Sequence, residues 1–201
     1  AARERVEDLI VRKRPAVDAW KHTASYFDVI DSLAGHLVVF CVRDPASWVS
    51  GLFRRPYHLY GFPGPNLAAF LDRKWQTLER ERLGRARMTP LEIYNAKIAS
   101  YIALQDQLDA AGIPYCVVRH EDFATDQARV FADLARFLRA PRDDFRPVTE
   151  STKMDHGKSH TYYENYYGNR RWLDEIDPDS ADRIRRTTDW AAVERYGYEP
   201  I

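Results

Sequence analysis

Cysteine is nearly missing from these 201 residues: there are two, Cys41 and Cys116. Two thiols cannot staple a fold, and both sit in strongly apolar runs. The expectation is two buried strand thiols in a reducing compartment, not a disulfide framework, a redox pair or a metal site. Charge of one sign is missing as well. Thirty Lys+Arg balance thirty Asp+Glu, giving net +0, without the basic surplus of a general nucleic-acid binder. No apolar run approaches the ~20 residues of a membrane span, and no signal-peptide pattern opens the chain. With the scarcity of cysteine, this points to the cytoplasm. Internal repeats and low-complexity tracts are absent too.

What is present suffices for one domain spanning residues 1–201. At 45% hydrophobic and 13% aromatic the chain is too apolar for disorder and long enough to bury a core without staples. Two short runs read as buried strands, residues 36–42 and 113–119. Both are apolar nearly throughout, the pattern of parallel strands covered on both faces. A weaker strand candidate is Ala16 to Trp20.

Helices lie between and after the strands. Thr89-Pro90-Leu91-Glu92 spells an N-cap, an N1 proline and the N3 glutamate of a capping box. Leu91, Tyr94, Ile98, Tyr101, Leu104 and Leu108 then keep helical spacing until Gly112. Thr125 or Asp126 caps a further helix with the stripe Val130, Phe131, Leu134, Phe137 and Leu138. Arg3 to Lys13 and Asp179 to Arg195 are amphipathic. Alternating strands and helices predict an α/β layer protein with a parallel sheet. Three stretches fall outside this scheme: the turn-rich loop Gly61 to Asn66, the mixed-charge segment Glu79 to Arg87, and Lys153 to Trp172. The last is polar and aromatic without periodicity, and loops of that length are often lids or binding loops.

The sharpest feature is the end of the first strand, Val42-Arg43-Asp44-Pro45-Ala46-Ser47-Trp48-Val49-Ser50-Gly51. A strand delivers an arginine at its carboxyl edge, and proline then opens a helix carrying serines. Ligands of open α/β sheets bind at that edge. A helix N-terminus suits a phosphate, and arginine adds a planar, permanently charged fork. An ordinary strand-end ion pair between Arg43 and Asp44 accounts for the same residues equally well.

The run Phe-Cys-Val-Arg-Asp-Pro-Ala-Ser-Trp-Val-Ser-Gly from Phe40 resembles the 3′-phosphate-binding segment of sulfotransferases that use 3′-phosphoadenosine 5′-phosphosulfate (PAPS). Other pieces follow in that family's order. Trp20-Lys21-His22-Thr23 resembles the segment at the sulfuryl group. His120-Glu121-Asp122-Phe123 resembles the end of a later strand, and Thr188-Asp189-Trp190 to Tyr196-Gly197-Tyr198 the closing helix. The resemblance covers residues ~16 to 201 through short motifs whose order and spacing carry it.

It implies a three-layer parallel sheet flanked by helices, of P-loop-kinase-like sulfotransferase type. The implied co-substrate is PAPS, with adenosine 3′,5′-bisphosphate as product, and the acceptor is a small molecule or glycan hydroxyl. By position, His22 is the general base and Lys21 offsets sulfuryl charge. Arg43 and Ser50 hold the 3′-phosphate, and Lys158 and Ser159 on the late loop add contacts. The serine usual in the family falls at Gly51, with Ser50 one place early, and His120 stands where many relatives have tyrosine. No metal is implied, and His156 and His160 have no identifiable metal-ligating partner.

The family's first strand and phosphosulfate loop would precede residue 1. The chain opens Ala1-Ala2-Arg3 without methionine, and further N-terminal residues are the expectation. Two other classes stay open: a catalytically silent module of the same type that binds a nucleotide or partner protein, and a nucleotide-dependent kinase. The kinase needs a Gly-rich loop ending in Lys-Ser/Thr and a magnesium carboxylate, neither of which is visible here. Neither the acceptor nor the oligomeric state is legible.

Overall fold

The computed structural model describes residues 23–25, 30–56, 63–78, 81–138, 145–149 and 158–201. Its element order is β1 (Val38–Val42), α1 (Pro45–Arg54), α2 (Leu67–Asp72), β2 (Trp75–Gln76), β3 (Arg87–Met88), α3 (Pro90–Ala111), β4 (Tyr115–Arg119), α4 (His120–Thr125), α5 (Gln127–Ala135), α6 (His160–Gly168), α7 (Pro178–Thr187) and α8 (Trp190–Glu194). Short 3-10 turns cover Ile30–Leu33 and Arg171–Glu175. The expected mixed α/β character is present. The two expected strands pair in parallel with each other, from Val38 opposite Tyr115 to Val42 opposite Arg119. Among the described residues this parallel sheet has two strands, and β2 and β3 form a separate antiparallel pair. Neither of those two-residue strands is legible from periodicity. The third strand candidate, residues 16–20, and the helix over 3–13 lie outside the described residues.

Helix α3 forms where its signals place it. The Thr89 hydroxyl accepts from the Glu92 N–H at 3.3 Å, and the Glu92 carboxylate accepts from the Thr89 N–H at 2.7 Å. Both orphan donors are thereby satisfied. Gly112 ends the helix in the left-handed region at φ 66, which costs an ordinary side chain about 1–2 kcal/mol. The apolar stripe of α3 is buried under the sheet: Tyr94 and Ile98 pack with Val42, and Leu104 and Leu108 with Phe40. A second core gathers α1, α2 and α7 around Val49, Phe70, Trp172 and Ile184.

Several expectations need correcting. Burial alternates along β1, where Phe40 and Val42 are buried while Val39 and Cys41 are exposed, although Val118 of β4, opposite Cys41, is buried. Cys41 is therefore not a buried thiol, and Cys116 is only partly covered. Apolar residues on both sides of a strand record its composition; what covers each side depends on distant elements. In α5 only Val130 of the expected stripe is buried; the helix ends at Ala135, before Phe137 and Leu138, which are exposed. The stretch 179–195 is two helices, broken at Thr188-Asp189, where Asp189 caps the second.

Candidate functional site

The parallel pairing of β1 with β4 brings Arg43 and His120 to the same carboxyl edge. Tyr94 of α3 fixes the backbone there, its hydroxyl donating to the Arg43 carbonyl at 2.6 Å. The Arg43 guanidinium donates through Nε to Ser47 Oγ at 2.8 Å and through an Nη to the Tyr167 hydroxyl at 3.1 Å. It also lies over the Tyr167 ring, 5.5 Å from its centroid. No carboxylate stands within ion-pair distance of Arg43 among the described residues. The expected Arg43–Asp44 strand-end ion pair is therefore not what holds these residues. A full positive charge is held by two neutral hydroxyls at the edge where α/β sheets bind ligands.

Gly51 explains how the guanidinium gets there. A Cβ at position 51 would sit 3.2 Å from both terminal nitrogens of Arg43. Ser47 and Gly51 are one helical turn apart and so share a face of α1. The hydroxyl that reaches Arg43 is that of Ser47, not of Ser50, which is buried on the same helix. Sequence reasoning passed over Ser47; its four-residue offset from Gly51 was the available signal.

The helix N-terminus itself is already answered. Asp44 caps α1, accepting from the Ser47 N–H at 2.8 Å. Its carboxylate thus takes the place beside the dipole where a phosphate was expected. Asp44 and Glu121 are buried at 2% and 7% exposure, and they are tied together. Glu121 Oε1 accepts from the Asp44 N–H at 3.2 Å, and Oε2 from the Tyr198 hydroxyl at 2.8 Å. Burial pushes both carboxyl groups above the ordinary carboxylate range. The Ser47 N–H and Arg170 oppose that rise at Asp44, and the Tyr198 hydroxyl and Arg43 oppose it at Glu121.

The aromatic stretch 153–172 is not a structureless loop where it is described. Ser159 caps α6, its hydroxyl accepting from the Tyr162 N–H at 3.3 Å. The tyrosines stack in i, i+4 pairs, Tyr162 on Tyr166 and Tyr163 on Tyr167. That spacing was the missed helical period. Lys158 lies over the Tyr162 ring at 4.8 Å. Lys158 and Ser159 therefore stand at the start of a nine-residue helix, about 13 Å along its axis from the Tyr167 end that meets Arg43. Lys21 and His22 lie outside the described residues. Their neighbours do not: the Thr23 carbonyl accepts from the Tyr101 hydroxyl at 3.0 Å, and the Ala24 N–H donates to the Glu81 carbonyl at 2.9 Å.

Tyr167 also borders a cavity of about 370 Å³, together with Arg119, Arg170, Trp172, Tyr198 and the buried acids. No cluster of three or more metal-ligating side chains occurs among the described residues, and no described helix is long and apolar enough to cross a membrane. Compared with family models, curated proteins and solved structures, the chain gives no match.

Proposed function

We propose that the protein is a PAPS-dependent sulfotransferase and that Arg43 binds the 3′-phosphate of the nucleotide. On this reading β1 and β4 belong to a three-layer parallel sheet of P-loop-kinase-like type. The observation that carries the proposal is the state of Arg43: a permanent charge at the carboxyl edge of a parallel pair, oriented by Ser47 and Tyr167 hydroxyls, with no acid in ion-pair range among the described residues. Those hydroxyls add polar contacts for an anion that the guanidinium neutralises. In the reaction the bond from sulfur to the bridging phosphate oxygen breaks as the acceptor oxygen bonds to sulfur. The acceptor proton passes to His22, Lys21 offsets the developing charge, and adenosine 3′,5′-bisphosphate leaves.

Calorimetric titration with adenosine 3′,5′-bisphosphate tests the assignment. Losing a charged phosphate contact costs about 1.5–3 kcal/mol, so Arg43→Ala is expected to bind roughly ten- to hundredfold more weakly. Equal affinities for the two proteins would overturn the 3′-phosphate assignment. Tight, Arg43-dependent binding with no turnover on hydroxyl acceptors would identify the silent module instead.

A further inference from the structure

Arg119 closes β4 on the same edge as Arg43, but its surroundings differ. Its guanidinium is stacked on the Tyr198 ring, 4.6 Å from the centroid. It is pressed against Gly197, where a Cβ would come within 3.2 Å of an Nη. Gly197 is in the left-handed region at φ 74, so glycine serves there twice, for the turn and for the close approach. The buried Arg119 Nε finds no hydrogen-bond acceptor, and no carboxylate lies within ion-pair distance of this guanidinium among the described residues. The group lines the cavity of about 370 Å³.

The acids around the same cavity are in a different state. Both Glu121 oxygens already accept hydrogen bonds, Asp44 is spent on its helix cap, and Asp122 pairs with Arg129 at 3.2 Å. The unmet electrostatic demand is thus for an anion. The lining as a whole nevertheless carries more acids than arginines, with Glu199 at the rim. A single negative charge is tolerated in such a field far better than a dianion. Carboxylates at the rim also accept from hydroxyls. Arg170, also on the cavity wall, is left-handed at φ 50 just past the end of α6, and its guanidinium lies 3.9 Å from the Asp44 carboxylate.

We infer that this cavity is a binding site for a small hydroxylated monocarboxylate, a uronic acid or a sugar-acid of that size, with Arg119 gripping the carboxylate and rim acids taking hydroxyl protons. The cavity shares Tyr167 with Arg43, but Arg43 itself does not line it, and the inference does not depend on the sulfotransferase reading.

The test is calorimetry of the intact chain near neutral pH with glucuronate, glucose and glucosamine as probes. Glucuronate is expected to bind at least about tenfold more tightly than either of the others, and Arg119→Gln to lose about tenfold or more of that affinity. Glucose binding as well as glucuronate, glucosamine binding best, or no glucuronate binding at all would each overturn the inference. Should Arg119→Gln fail to fold, the ranking of the three sugars on the wild-type protein decides alone. The bisphosphate titration of Arg43→Ala is a separate measurement, so failure of either reading is recognised independently.

Discussion

Glu121 joins the end of β1, the start of α4 and the C-terminal Tyr198 through one carboxylate. Its pKa is raised chiefly by burial, as is that of Asp44. The folded chain therefore binds these protons more tightly than the unfolded one. Stability from such a group is full below the unfolded carboxylate value, near ~4, and is lost as pH rises through the raised folded value. Glu121→Gln removes the desolvated charge, and its amide oxygen still accepts the Asp44 N–H. Tyr198 can reverse its hydrogen bond and accept from the amide. Urea denaturation is expected to show wild type weakening as pH rises above the ordinary carboxylate value, with a clearly smaller loss in Glu121→Gln over the same interval. A variant that loses as much as wild type over that interval would place the pH dependence on other groups. In the sequence Glu121 stands in the strand-end run His120-Glu121-Asp122-Phe123. Its partners, Asp44 and Tyr198, are 77 residues away in either direction, and no local pattern marks them.

Among the elements, legibility tracks how local the determinant is. The capping box at Thr89 and the glycine at 112 start and stop α3 through bonds spanning a few residues, and both could be read directly. Helix α6 could not be read so easily, because its apolar signal is tyrosine, whose ring packs while its hydroxyl stays polar. Within α6, Ser159 was expected at a phosphate; it caps the helix instead through the Tyr162 N–H. Losing such a cap costs about 1 kcal/mol. Thermal melting of Ser159→Ala is expected to fall accordingly, while its affinity for adenosine 3′,5′-bisphosphate falls much less than that of Arg43→Ala. A loss of affinity matching the Arg43 variant would restore Ser159 as a phosphate contact.

At the scale of the whole molecule, one buried ion pair joins stretches that the sequence shows as unrelated. Lys97 of α3 reaches Glu81 at 2.6 Å, with side chains 8% and 0% exposed. Glu81 lies in the mixed-charge segment that fell outside the strand and helix pattern; such a run is ordinarily solvated, and only the fold decides that one member turns inward. The pair sits in a lattice of bonds. Glu81 Oε2 accepts from the Leu78 N–H, the Glu81 carbonyl accepts from the Ala24 N–H, and Ser100 of α3 accepts from the Ser25 N–H. Tyr101, its hydroxyl pushed up to about 12 by burial, donates to the Thr23 carbonyl. The lattice pins residues 23–25, one peptide bond from His22, to α3. Removing the ammonium leaves a carboxylate in a site with almost no water, a change that costs about 3–5 kcal/mol. Lys97→Met is expected to lose that much in urea denaturation. Adding Glu81→Gln is expected to recover a large part, since the amide carries no charge and its oxygen still accepts from Leu78. If the double variant is no more stable than Lys97→Met, the packing of the lysine stem, and not the charge on Glu81, holds this junction together.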